Sequence, residues 1–382
     1  MEKTKNPEPS ESASDNVVFK RAKHQDAERC NAFYNRIYEI DRPVAGWHWE
    51  FSEHTPSDTR LPFILIERAQ TVVGTQAYIP IEMIDKDGAF PTGKSEETLV
   101  DPSMRGKQMF KRLYEHLFEV AQEEKIHGLW GFTPAGKAFR KIGFDTPATV
   151  TQLFKPLSAD FVSHMRLAGA QATGASTSMR WKLTGVLALG VSCVRRPFKR
   201  DPLVDVTELS ESPDWVDELS EAFVTQWGGV SLHRTRKYCD WRFFRNPYTQ
   251  CRFWAVHEEN IPVGFAVTAM HASVLYVVDI VLTSKTANGA YQRATPHLVA
   301  TVLQSLETIA KSSQASGIRA WHGSDHPFAL IILKSAKRLG WFHYRKGNEI
   351  VLWRNKVLAL NRLPADPNQY YITRAFTEGH MG

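Results

Sequence analysis

The chain has 382 residues, 43% hydrophobic, 11% aromatic and 23% charged, a balance that fits a soluble globular protein with core material for two domains. Its net charge of +6 is uneven: residues 161–200 carry seven Lys/Arg and no Asp or Glu, so the rest sums to 6 − 7 = −1, which argues against a nucleic-acid surface on the folded parts. Four scattered cysteines (Cys30, Cys193, Cys239, Cys251) form no CxxC pair and fourteen histidines form no HExxH, so neither a metal site nor a disulfide framework is predicted, and a reducing, cytoplasmic setting is.

In chain order, residues 1–15 are polar and carry no apolar core, which reads as a tail and not a signal peptide. "VVFKRA" (17–22) predicts a strand, followed by a helix through about Tyr38. "LPFILIE" (61–67), "TVVGTQAYIPIEMI" (71–84) and "SEETLVD" (95–101) predict three strands. An amphipathic helix follows, with Met109, Phe110, Leu113, Leu117, Phe118 and Ala121 at three- and four-residue spacing. "IHGLWGF" (126–132) reads as a strand, "PAGKAFRKIGF" (134–144) as a short helix ending in glycine, and "ATVTQLFKPL" (148–157) as a closing strand.

The second half repeats this order. "GWHWEFSEHTP" (46–56) is echoed by "YCDWRFFRNP" (238–247), and "AFRKIGF" (138–144) by "SAKRLGW" (335–341). Trp49 precedes Gly74 by 25 residues and Trp241 precedes Gly264 by 23; Trp49 to Gly143 is 94 and Trp241 to Gly340 is 99. Three matches in order at near-equal spacing indicate a duplicated domain. Between the copies, "LTGVLALGVSCV" (183–194) is an apolar run flanked by Arg180, Lys182, Arg195 and Arg196. A bilayer span needs about 20 apolar residues, so this run does not cross. It reads either as a helix packing the domains or as an interfacial segment, with peripheral contact through 180–200 at the inner membrane face.

The joint before the amphipathic helix, "VDPSMRGKQMF" (100–110), sets Arg105, Gly106 and Lys107 where a helix dipole disfavours cations and attracts anions. Glycine there lets an anion approach the backbone, so the joint reads as a phosphate cradle.

The order of elements around this joint resembles the GNAT acyltransferase superfamily over residues 17–157, and more loosely over 208–355. Arg105 and Gly106 match the family's Gln/Arg-x-x-Gly-x-Gly/Ala pattern, while Ser103 and Gln108 depart from it. The resemblance implies an α+β fold with two GNAT-like domains, each a mixed, mostly antiparallel sheet flanked by helices. The implied map is a tail (1–15), a GNAT domain (16–158), a basic linker (159–207), a degenerate GNAT-like domain (208–358) and an extension (359–382). It also implies acetyl-CoA as co-substrate, its diphosphate on the amides of Arg105, Gly106, Lys107, Gln108, Met109 and Phe110, and its pantetheine along the main chain of Leu99 and Val100. Attack of an amine on the thioester needs a proton acceptor, for which Glu97 is the first candidate and His127 the second. The tyrosine that often serves as acid is replaced by Phe139. Asp279 falls where Glu97 does and is read as structural. The tryptophans Trp47, Trp49, Trp130 and Trp241 are read as core more than as a sugar platform.

The expected reaction is acetyl transfer to a small-molecule amine, and the tandem members that resemble the chain most point to an amino sugar or cell-surface polysaccharide precursor. The alternatives are an aminoacyl or peptidyl transferase using charged tRNA, and a non-catalytic CoA-binding assembly protein.

Overall fold

Two long strands, β3 (Thr71–Asp85) and β4 (Gly88–Val100), organise the N-terminal half. The strand predicted from residue 95 in fact begins at Gly88, because the Gly, Pro and Lys of residues 88–94 mask a strand that backbone pairing holds. The computed structural model describes residues 17–53, 60–162, 164, 186–192, 198–322 and 325–377; the predicted tail and most of the predicted linker lie outside them.

The chain divides into two compact units, Met1–Ile79 with Ser95–Val120, and Pro80–Lys94 with Ala121–Gly382, and β3 and β4 contribute residues to both. In the first unit β1 (Val18–Arg21) pairs antiparallel with β2 (Phe63–Arg68), and β2 with the start of β3. Helices α1 (Ala27–Tyr38) and α2 (Val44–Phe51) cover this sheet, with Phe33 packed on Val72 and Leu99, and Trp47 on Phe51 and Phe63. Helix α3 (Met109–Glu123) buries Met109, Leu113 and Leu117, the stripe its spacing predicts, and Tyr114 as well.

The second unit continues from β4 through β5 (Gly128–Thr133), α4 (Gly136–Lys141) and β6 (Asp145–Pro156). Then come β7 (Val204–Leu209), α5 (Val216–Trp227), the short β8 (Ser231–Leu232) and α6 (Arg236–Cys239), which runs into a π-turn over Asp240–Phe244. Strands β9 (Cys251–Glu258), β10 (Ile261–His271), β11 (Val274–Lys285) and β12 (Tyr291–Arg293) lead to α7 (Pro296–Ser312). Strand β13 (Gly317–His322), α8 (Pro327–Arg338) and β14 (Phe342–Arg354) follow. Within this unit the strand order is β4-β5-β14-β6-β13-β11-β10-β9-β7. Only β4–β5 and β11–β13 are parallel among these pairs, so the predicted mixed, mostly antiparallel α+β architecture is what forms. The last strand of the chain, β14, lies between β5 and β6, and β6 pairs with β13 of the second half. Each half's parallel pair is therefore continued by a strand from the other half, so the compact units do not follow the repeat seen in the sequence.

Gly143 and Gly340 close α4 and α8 at φ of +94° and +81°, the left-handed ending that favours glycine. Cys30, Cys239 and Cys251 are free thiols, and Cys193 lies outside the described residues. No helix among the described residues is long and apolar enough to cross a membrane.

Candidate active site

The joint is built by two caps and two plugs. Asp101 accepts the Ser103 amide at 2.9 Å, the Ser103 hydroxyl at 2.7 Å and the Arg36 guanidinium at 2.8 Å, and these bonds hold its carboxyl down at about 2. The departure at Ser103 thus has a local use: its hydroxyl fixes the 3-10 turn Pro102–Met104. Met104 and Met109 are buried on either side, and Arg105, Gly106, Lys107 and Gln108 stand exposed between them.

Gly106 has φ of +79°, and a Cβ placed on it would meet nothing within 4 Å, so the backbone borders open space. Gln108 also adopts positive φ, +59°, the left-handed conformation that glycine takes freely and a glutamine takes at some cost. The Arg112 N–H closes the first turn of α3 on the Gln108 carbonyl at 3.1 Å, so the amides ahead of it face out of the positive helix end. The side chains of Leu99 and Met109 are buried in the core.

Glu97 sits at a kink in β4, with φ of +54° and its carbonyl accepting the Thr75 hydroxyl at 3.1 Å. Its carboxylate is buried and receives two bonds from Arg42, at 2.9 and 3.2 Å. Arg42 also donates to Glu50 at 3.2 Å and to Asn31 at 2.7 Å, and its guanidinium lies 3.8 Å over the Tyr34 ring. One buried cation therefore faces two buried carboxylates. Burial pushes the Glu97 carboxyl up to about 7, with Arg42 opposing and Glu50 adding to the rise. A carboxyl near 7 takes and gives a proton at neutral pH, which is what a general base requires.

Sequence reasoning missed Arg42 and Glu50. A signal was present: Arg42 lies seven residues before Trp49, and Arg234 seven before Trp241. Arg234 makes the equivalent buried pair in the second half, donating to Asp279 at 2.6 and 3.0 Å, and Thr373 adds a bond to Asp279 at 2.9 Å. Asp279 is thus in the structural role expected of it. The position of Glu50 is taken there by Arg242, which instead donates to the carbonyls of Ala375 and Thr377. The second carboxylate is what distinguishes the first copy. At the second copy's joint, Thr295 caps α7 through the Leu298 amide and Pro296 removes a donor, so that helix end satisfies itself.

His127 is placed for structure and not for chemistry. Its Nδ1 accepts the Arg362 amide at 3.1 Å, its carbonyl accepts Asn355 and Asn361, and its ring lies edge-on to Phe90. Burial and the Arg362 charge hold its pKa below the usual imidazole value. It stands opposite Pro91, six residues before Glu97 in β4, and the neutral ring serves as the acceptor that ties down the segment after β14. Trp47, Trp49, Trp130 and Trp241 are all buried, Trp130 donating to the Thr92 hydroxyl at 3.0 Å, so none offers a sugar platform. Phe139 packs edge-on against Phe144 and leaves the position without a hydroxyl. Among the described residues no cluster of His, Cys, Asp or Glu is arranged to hold a metal ion.

The family model described as an acetyltransferase (GNAT) domain matches residues 18–146, which contain the joint, Arg42, Glu50 and Glu97. No curated protein matches the chain. Among solved structures, a GCN5-related N-acetyltransferase from Anabaena variabilis superposes with a TM-score of 0.59 at 12% identity, covering 90% of this chain and 74% of that one. A GCN5-related N-acetyltransferase from Kribbella flavida gives 0.55 at 13% identity, covering 89% and 71%. At such identities these likenesses speak for the fold, and the domain match carries the assignment. Residues 18–146 match an acetyltransferase (GNAT) domain, and that match supports acyl transfer as the chemistry of this part of the chain.

Proposed function

We propose that the protein transfers an acetyl group from acetyl-CoA to the amine of a small molecule, with an amino sugar as the acceptor class. The diphosphate rests on the amides of residues 106–110, since the Arg105 amide already donates to the Pro102 carbonyl at 3.3 Å. The Arg105 and Lys107 side chains add charge, and the pantetheine pairs with the main chain of Leu99 and Val100. Glu97 takes a proton from the acceptor ammonium. The amine nitrogen then bonds to the thioester carbon and gives its second proton to solvent as the carbon–sulfur bond breaks. The thiolate is protonated by solvent, since Phe139 supplies no acid.

The observation that carries this reading is the joint: four exposed residues between two buried methionines at the start of α3, with Gly106 left-handed and bordering open space. The test is release of free CoA thiol from acetyl-CoA, followed with a thiol reagent across a panel of amines and amino sugars. Acceptor-dependent release is expected. Gly106→Val, whose side chain would fill the approach and strain a positive φ, is expected to weaken acetyl-CoA binding by at least about tenfold. If that variant folds and binds as tightly as the parent, the cradle lies elsewhere.

We also propose peripheral contact with anionic membrane in a cytoplasmic setting. In the helical residues 186–192, Val186, Leu187 and Val191 are 52%, 64% and 60% exposed. Ser192 lies against Gly340, beside the exposed Lys334, Lys337 and Arg338 of α8, and Lys199 and Arg200 are exposed as well. Apolar side chains ringed by cations suit an anionic bilayer surface. In flotation, binding to phosphatidylglycerol vesicles is expected at low salt and is lost in Leu187→Glu; equal behaviour with neutral vesicles would contradict it.

A further inference from the structure

One face of the second half's sheet gathers cationic and aromatic groups that the acetyl-transfer reading leaves unused. Tyr276 of β11 and Arg319 of β13 are register partners, Trp321 lies two residues beyond Arg319 on the same face, and Gln152 of β6 is the partner of Trp321. Arg319 donates to the Tyr276 hydroxyl at 3.3 Å and to the Gln152 side-chain Oε1 at 3.0 Å, both neutral acceptors. Among the described residues it has no carboxylate partner. Its guanidinium carbon lies 5.4 Å from the Tyr276 ring, and that of Arg374 lies 4.7 Å from both the Tyr276 and the Trp321 rings. Two guanidinium groups thus share one tyrosine. The Arg319 Nε and the Trp321 Nε1 are buried donors without an acceptor. Unmet donors beside unanswered positive charge are a costly arrangement that an anionic oxygen would relieve.

The surroundings narrow the class of anion. Trp321 stands edge-on to Phe132 at 5.3 Å, and Phe132 lines a recess together with Trp130, Ile350, Leu352, Tyr370 and Phe376. A recess of this lining has nothing to offer a free phosphate, and at about 20 Å³ it admits at most the end of an alkyl chain.

We propose that this face binds an organic acid, its carboxylate received by the Arg319 Nε and Trp321 Nε1 donors and its apolar body lying along Phe132 toward the recess. The site is independent of the acetyl-CoA joint. It gives the second copy a ligand of its own, an acid that regulates the enzyme.

The test titrates octanoate into the full-length protein by calorimetry and tryptophan emission, with acetate and inorganic phosphate as comparators. Saturable octanoate binding is expected, at least about tenfold tighter than acetate because of its added methylenes. Arg319→Gln is expected to weaken it by about tenfold or more while leaving acetyl-CoA affinity unchanged. Trp321→Phe, which keeps the ring and removes only the N–H, is expected to weaken it about threefold or more and serves if Arg319→Gln does not fold. Absence of saturation, phosphate binding as tightly as octanoate, or octanoate affinity indifferent to both substitutions would overturn the proposal.

Discussion

Replacing Arg42 by methionine is expected to destabilise the protein by about 3–5 kcal/mol at neutral pH, the cost of leaving buried carboxylates without their cation. Glu97 loses two bonds and Glu50 one, and Asn31 loses the donor at 2.7 Å. The deficit should shrink as pH falls, because protonation discharges the two orphaned carboxyls. Adding Glu97→Gln and Glu50→Gln to the same chain should recover much of the loss, since a network removed as a whole costs far less than one broken at a single member. Chemical denaturation at pH 7 and pH 5 measures all of this. A loss below about 1 kcal/mol at pH 7 would mean the triad is not the buried, coupled unit described here.

Exchanging Glu97 for glutamine is expected to lower kcat by about 10²- to 10⁴-fold, the usual contribution of a general base, with the KM for acetyl-CoA little changed. In the parent enzyme the rate should rise with pH and level off above about 7, where Glu97 is deprotonated. The same carboxyl also marks stability. Its folded pKa lies above the ordinary carboxylate value, so its contribution is fully present at low pH and is lost as pH rises toward about 7. The glutamine variant should lack both dependences. The second half supplies the contrast: Asp279 is paired with Arg234 in the same way, yet the sequence position of Glu50 is held there by Arg242, which donates to main-chain carbonyls. An unchanged kcat in Glu97→Gln would put Glu97 in the purely structural class of Asp279.

The elements with strong periodicity were legible in the sequence. The stripe of Met109, Leu113 and Leu117 defines α3, and the glycines at 143 and 340 end the helices their positions predict. The joint was also legible, because Arg105-Gly106 violates the charge preference of a helix start. What stayed hidden depends on contacts distant in sequence. Arg42 reaches Glu97 across 55 residues, and nothing in "DRPVAG" announces that reach. His127 reads as a possible base until the Arg362 amide, 235 residues on, occupies its Nδ1. The insertion of β14 between β5 and β6 is a further case, since a strand's pattern does not say which neighbour it will choose.

The most direct measurement is a calorimetric titration of acetyl-CoA into the parent protein and into Gly106→Val. The parent is expected to bind one equivalent with a micromolar dissociation constant, and the valine variant to keep its melting transition while binding at least about tenfold more weakly. A parent that shows no heat of binding at millimolar acetyl-CoA would leave the 106–110 amides without their ligand and contradict the account.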